Sequence, residues 1–189
     1  MLLVAVIALG FAAGSIPFGV LIARRAGGVD IQQHGSGNIG ATNVTRVLGA
    51  RAGAAVLVLD AAKGALPVWL AARAGVDPRA ALAVGGAAIL GHCFSPWLAF
   101  RGGKGVATAL GVFAVLAPPV TAIAVGVFAA VLALTRVPAL GSLAGAATIA
   151  AVIAARGDRD TAAFAIAVTV LLVFTHRGNL ARLRRPPAG

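Results

Sequence analysis

The chain has 189 residues, 60% of them apolar and only 11% charged, with a formal net charge of +11 and a mean hydropathy of +0.97. A soluble domain is about 45–50% apolar and about 25% charged, so this composition excludes a water-solvated globular fold and makes lipid the solvent. One cysteine, Cys93, excludes an internal disulfide framework, and positive residues scattered singly or in pairs between apolar runs exclude a nucleic-acid-binding face.

In chain order, Leu2 to Ala23 is almost wholly apolar and, at 1.5 Å per residue, rises about 33 Å, enough for a hydrocarbon core of roughly 30 Å. Its charges, Arg24 and Arg25, follow the run. A cleaved signal has the opposite polarity, so a retained first span with its N-terminus outside is expected. Next comes His34-Gly35-Ser36-Gly37-Asn38-Ile39-Gly40-Ala41-Thr42-Asn43, followed by Arg46. Its three glycines let backbone N–H groups converge as in an anion-binding nest. Ser36, Asn38, Thr42 and Asn43 add side-chain donors, and Arg46 can grip phosphate with its planar fork. The alternative is an ordinary polar loop; the absence of any acid and the donor density favour an anion site.

Further apolar runs lie near 53–72, 79–98, 105–118, 119–135, 139–155 and 161–176. All are expected to be helices, because lipid-exposed backbone has to satisfy its own hydrogen bonds. Asp60 and Lys63, spaced i and i+3 in the second span, mark packing or function by default, a structural ion pair being favoured over direct catalysis. Arg101-Gly102-Gly103-Lys104-Gly105 opens a helix, where N–H groups and an ammonium together suit a phosphate. It is not a Walker A loop, since Leu98 and Gly105 stand where Gly and Ser/Thr belong, and a turn closed by a topogenic lysine fits it equally well. Thr135-Arg136, with Gly141-Ser142, is as much a short positive loop as a site. His176 and Asn179 share a helix face if the last helix runs through Gly178. The G-x-x-x-G pairs Gly10/Gly14 and Gly141/Gly145 predict close helix packing.

The 105–135 stretch, interrupted by Pro118-Pro119, is long for one span and short for two; charge decides it. With two spans the inside loops hold Arg24, Arg25, Arg46, Arg51, Arg101, Lys104, Arg136, Arg177, Arg182, Arg184 and Arg185, and the outside loops only Arg73, Arg79, Arg156 and Arg159. With one span the split is nearly even. The positive-inside rule therefore predicts about seven spans, the N-terminus outside and the C-terminus in the cytoplasm.

Other chemistries are excluded. No histidine is followed five positions on by Asp, the pattern of soluble-type acyltransferases, and no serine sits in G-x-S-x-G. Three His, one Cys and five Asp give no metal-ligand cluster, and the chain has no Glu. No metal or cofactor is expected.

Taken together, Ser36-Gly37-Asn38 with Gly40-Ala41-Thr42-Asn43 and Arg46, Asp60-Ala61-Ala62-Lys63-Gly64, Gly91-His92, Gly102-Gly103-Lys104-Gly105-Val106-Ala107-Thr108, and His176 with Asn179 resemble the bacterial acyl-phosphate:glycerol-3-phosphate acyltransferase family, PlsY, from the first span to about Leu183. The resemblance implies an all-α polytopic membrane protein, with 1–189 a single transmembrane acyltransferase domain in the bacterial inner membrane and its site facing the cytoplasm. It implies transfer of a fatty acyl group from acyl phosphate to the 1-hydroxyl of glycerol 3-phosphate. The products are lysophosphatidic acid and phosphate. Carried over by position, Ser36, Arg46, Lys104, His176 and Asn179 are the expected catalytic set. Gly37, Asn38, Gly40, Thr42, Asn43, Gly102, Gly103, Gly105 and Ser142 are the expected substrate-binding residues. The chain departs from the family at Val137 and Ala139, where a Tyr and a Ser are usual, and in lacking an acidic residue after Asn179. A small organic-phosphate transporter is the alternative from another class.

Overall fold

The computed structural model describes residues 2–183. Every regular element among them is helical: α1 (Leu2–Ser15), α2 (Phe18–Gly27), α3 (Ala41–Leu48), α4 (Ala50–Arg73), α5 (Pro78–Cys93), α6 (Val106–Leu116), α7 (Pro118–Thr135), α8 (Pro138–Ala155) and α9 (Arg159–Leu183), with 3₁₀ turns at Ile31–Gln33 and Pro96–Leu98. Each expected span is found as helix, and six helical segments are long and apolar enough to cross a membrane. The 105–118 segment gives only the 11-residue α6, about 16 Å of helix against a core of roughly 30 Å. Arg184 and Arg185, counted above among the inside charges, lie outside the described residues.

Two differences from expectation have local causes. The first apolar run is not one helix but two, because Pro17 has no N–H to donate and its ring obstructs a continuous ladder; α1 stops at Ser15 and α2 starts at Phe18. The stretch from His34 to Arg46 is not all loop, since Ala41–Leu48 forms α3 behind Gly40. Helix termini elsewhere follow side-chain chemistry. Asp77 accepts from Arg79 N–H ahead of Pro78 at the start of α5, and Asp158 Oδ1 accepts from Thr161 N–H at the start of α9.

The chain divides into two compact units, one up to Pro118 and one from Pro119. In the first, α4 is the common neighbour of α1, α2, α3, α5 and α6. Small residues set the approach: a Cβ on Gly14 would overlap the Ala88 carbonyl of α5, and one on Gly64 would overlap the Thr108 carbonyl of α6. In lipid there is no hydrophobic drive between helices, so this backbone-to-backbone packing does the holding. In the second unit, Gly141 and Gly145 of α8 lie against Phe128 and Ala124 of α7, and Thr169 Oγ1 of α9 donates to Ala165 O at 2.8 Å and faces Ala146 O of α8 at 3.3 Å. Both expected G-x-x-x-G pairs therefore pack helices.

The broken first span is repaired by side chains. Ser95 Oγ donates to the Ser15 carbonyl at 2.7 Å, and Lys63 Nζ donates to the Ile16 carbonyl at 2.7 Å. Lys63 is also 2.8 Å from Asp60 Oδ1, both side chains being almost wholly buried, so the expected structural ion pair is formed. Trp97 Nε1 donates to Ser15 Oγ at 3.0 Å while its ring stays exposed, the posture of an interfacial aromatic. Breaking one partner of such a buried pair costs about 3–5 kcal/mol.

Substituting Gly14→Leu should force α1 off α5, a loss of about 1–3 kcal/mol or more, visible as a lower unfolding temperature in detergent. Gly126→Ala, where a Cβ meets nothing within 4 Å, should leave that temperature unchanged or slightly higher. An undisturbed Gly14→Leu protein would contradict the packing described.

Candidate active site

The polar loop between α2 and α3 is held by its own side chains. Asp30 caps the 3₁₀ turn, Oδ1 accepting from Gln32 N–H at 3.1 Å and Oδ2 from Gln33 Nε2 at 2.9 Å. Gly35 and Gly37 take φ of +62° and +71°, a conformation open to glycine at no steric cost. Asn43 is buried, its Nδ2 donating to His34 O at 2.9 Å and lying 3.4 Å from Ile31 O, while Oδ1 accepts from Ser36 N–H at 2.8 Å. Asn38 Oδ1 accepts from Gly40 N–H at 3.0 Å.

The expected convergence of N–H groups is thereby modified: those of Ser36, Gly37 and Gly40 are used inside the loop. Asn43, expected to touch substrate, instead has its amide committed to the loop, and its contribution is to hold Ser36 in place. What faces outward is the Ser36 side chain with Thr42 and Arg46, all exposed. Thr42 and Arg46 sit one turn apart on the same face of α3.

The second loop, Arg101 to Gly105, is laid over the end of α5. Gly102 N–H donates to Cys93 O at 3.1 Å and Gly103 N–H to His92 O at 3.0 Å. Gly105, at φ +88°, turns the chain into α6. Ahead of the loop, Ala99 and Phe100 both take positive φ, 49° and 61°, a conformation that costs an L-residue roughly 1–2 kcal/mol. Strain of that kind persists where surrounding structure over-determines it, commonly at functional sites. Lys104 is half-buried and Arg101 exposed.

Both loops come to one end of the first unit. The Ile39 carbonyl lies against Gly19 of α2, Lys63 Nζ is 5.6 Å from the neighbouring Phe18 ring, Asp60 Oδ1 is 3.7 Å from His92 Nδ1, and His92 underlies Gly103. Leu98 packs on the cluster of Ile31, Ile39 and Val44. Two cation-bearing, donor-rich loops flanking one buried polar cluster suit a ligand set with more than one phosphate.

The remaining expected residues belong to the second unit. Helix α9 does run through Gly178, so His176 and Asn179 share a face. His176 is buried, with Nδ1 2.8 Å from Leu172 O; a carbonyl only accepts, so Nδ1 carries the proton and a neutral ring has its lone pair on Nε2. Ser142 Oγ donates back to Pro138 O at 2.9 Å within α8. Arg136 is exposed at φ +58° in the turn after α7. His92 stands among the motifs of the resemblance without a stated role, and only packing creates its contacts with Asp60 and Gly103. The available signal was the costly intramembrane Asp60–Lys63 pair, which called for further polar partners.

Asn43→Ala would leave the Ser36 N–H without its acceptor and take one donor from the His34 carbonyl, which keeps the Gly37 N–H, a cost of about 1–3 kcal/mol. Hydrogen exchange of the Ser36 amide should speed roughly five- to hundredfold with the α4 core protected as before. Unchanged protection at Ser36 would contradict the clamp.

Comparison with known proteins fits this architecture. The family model described as glycerol-3-phosphate acyltransferase matches residues 4–186. A curated relative of that name from Myxococcus xanthus is 53% identical over 183 residues, 96% of this chain and 95% of its own. One from Geobacter sulfurreducens is 46% identical over 94% of this chain and 91% of its own. Among solved structures, the glycerol 3-phosphate form of PlsY (YgiH), an integral membrane glycerol 3-phosphate acyltransferase, superposes with a TM-score of 0.92 at 34% identity, covering 100% of this chain and 96% of that one. Its lysophosphatidic acid form gives 0.90 at 35% identity, over 97% and 92%. The chain is a multi-pass membrane protein and belongs to the glycerol-3-phosphate acyltransferase family.

Proposed function

We propose that this protein moves a fatty acyl group from acyl phosphate to the 1-hydroxyl of glycerol 3-phosphate, releasing lysophosphatidic acid and phosphate as the first acylation of phospholipid synthesis. The observation that carries it is the match along nearly the whole chain to acyltransferases of this family, one of them solved in glycerol 3-phosphate and lysophosphatidic acid forms. The family match runs through both units, which supports 1–189 as one acyltransferase domain. The residue inventory supports the substrate class: two phosphates call for cations and N–H donors, and an acyl chain calls for lipid access.

Lys104 with Gly102, Gly103 and Gly105 is assigned to glycerol 3-phosphate, together with His176 and Asn179. Ser36, Gly37, Asn38, Gly40 and Thr42 are assigned to the acyl phosphate, and Arg46 to both phosphates; Asn43 positions Ser36. Ser142 keeps a binding role only through its hydroxyl lone pairs, since its proton is bonded within α8. The reaction is direct attack in a ternary complex. The glycerol oxygen bonds to the acyl carbonyl carbon, the bond from that carbon to the phosphate oxygen breaks, and a substrate phosphate, with a second pKa of about 6, takes the hydroxyl proton. Acyl phosphate is already activated, so no covalent enzyme intermediate is required. Lys104 and Arg46, with the Ser36 and Thr42 hydroxyls, align the reactants and stabilise developing charge. Ser36 is a binding donor rather than a nucleophile. Initial-rate lines for the two substrates should intersect. Protein incubated with labelled acyl phosphate alone should carry no stoichiometric label after denaturation; label on Ser36 that chases into product would sink the scheme.

The topology is seven crossings, α1 with α2 forming the first and α6 the shortest, with the N-terminus outside and Arg46, Lys104 and His176 on the cytoplasmic side of the inner membrane. The asymmetry of eleven inside cations against four outside supports it. With Cys93 replaced, single cysteines near Ser36, Gly103 and Asn179 should resist an impermeant thiol reagent in intact cells, and cysteines near Asp77 and Asp158 should react. Labelling at Asn179 from outside would make the count six.

A further inference from the structure

Asp60, Lys63 and His92 are 1%, 6% and 3% exposed, too enclosed to meet a substrate. Their polar atoms are nevertheless arranged in sequence. Lys63 Nζ bridges the Ile16 carbonyl and Asp60 Oδ1 at 2.7 and 2.8 Å, and Asp60 Oδ1 faces His92 Nδ1 at 3.7 Å. The opposite edge of the imidazole is turned to the Lys104 loop. A Cβ on Gly103 would overlap His92 Nε2, with Cε1 at 2.8 Å and Cδ2 at 3.1 Å, so its three nearest neighbours are all atoms of that ring. The backbone repeats the contact, Gly103 N–H donating to His92 O and Gly102 N–H to Cys93 O. Lys104 is the next residue.

We propose that His92 is a positioning residue for the reaction. Its ring, backed by the Asp60–Lys63 pair, is the seat on which Gly103 rests, and the seat sets where Lys104 and the loop meet the phosphate of glycerol 3-phosphate. Gly103 is glycine because a side chain there would displace the loop from the ring. The proposal rests on the assignment of the Gly102–Gly105 loop to glycerol 3-phosphate. An ionic pair that keeps a ring fixed acts without touching a ligand, as outer-shell groups do in orienting those that bind.

The test is steady-state kinetics of purified protein in detergent, varying each substrate against the other, for His92→Ala, Gly103→Ala, the double variant and Lys104→Ala. Misplacing the loop should raise KM for glycerol 3-phosphate roughly fivefold or more in His92→Ala, with KM for acyl phosphate within about twofold. Gly103→Ala should be more damaged, and removing the ring should relieve it. The double variant should then exceed Gly103→Ala in kcat/KM, with a coupling of roughly two- to hundredfold. A generally loosened fold predicts neither the substrate-selective KM nor the relief. Additive losses in the double variant, or an unchanged KM for glycerol 3-phosphate in His92→Ala, would overturn the proposal. Lys104→Ala separates the two levels. If it raises KM for glycerol 3-phosphate while His92→Ala does not, the loop assignment stands and the seat is lost; if Lys104→Ala leaves that KM unchanged, both go. Should His92→Ala fail to fold, His92→Gln, whose amide reaches toward the place of Nε2, should keep KM for glycerol 3-phosphate closer to wild type than His92→Asn. The reverse order would overturn the proposal.

Discussion

Pro17 cannot donate a backbone hydrogen bond, so the first apolar segment breaks and takes from the Ser15 and Ile16 carbonyls the partners of a continuous helix, the Ile16 carbonyl keeping only the Phe18 N–H at 3.1 Å. Ser95 answers one and the Lys63 ammonium the other. An ammonium buried this deeply is tolerable only beside a counter-charge, and Asp60, one turn earlier on α4, supplies it. From that single repair the rest of the first unit follows. Lys63 ties α4 to the junction of α1 and α2. Asp60 faces the His92 ring, and the Ser95–Trp97 turn that follows α5 braces the same junction. The loop that carries Lys104 rests on His92 of this cluster, and the loop that carries Ser36 packs on α2 beside it.

Close helix packing complements the ion pair. Gly14, Gly64 and Gly111 bring backbones into contact where any side chain would separate them, and such contacts substitute for the hydrophobic force that lipid abolishes between helices. The short α6 fits this arrangement. Its eleven residues do not span the core alone, and the non-helical chain from Arg101 to Gly105 is fastened by hydrogen bonds to the end of α5. Irregular backbone near a bilayer is tolerated where protein groups satisfy it.

The inventory of charges suits acyl transfer between phosphate compounds. The chain has no Glu, and four of its five Asp are engaged as described, Asp30, Asp77 and Asp158 in caps and Asp60 in the buried pair. Cations and hydroxyl groups therefore dominate the polar loops, which favours phosphoryl oxygens and leaves little carboxylate for general-base work. Chemistry that begins from an activated acyl donor and lets substrate phosphate take the proton needs little more than positioning and charge.

Hydropathy and charge in the sequence determined the membrane class, the seven apolar segments and the Asp60–Lys63 pair, because a bilayer forces every lipid-facing backbone into local hydrogen bonds and penalises each intramembrane charge. Motif order determined which loops to suspect. The eight residues of α3 were not legible: a polar stretch rich in Thr and Asn has weak helix propensity, and that helix rests on packing against α4. The part played by Asn43 was not legible either, since a donor-rich side chain looks the same whether it grips a ligand or, as here, its own loop. His92 was the least legible of all. Its contacts reach Asp60, thirty-two positions earlier, and Gly103, eleven later, and only tertiary structure brings such positions within touching distance, because side-chain contact is set by how helices pack and not by spacing along the chain.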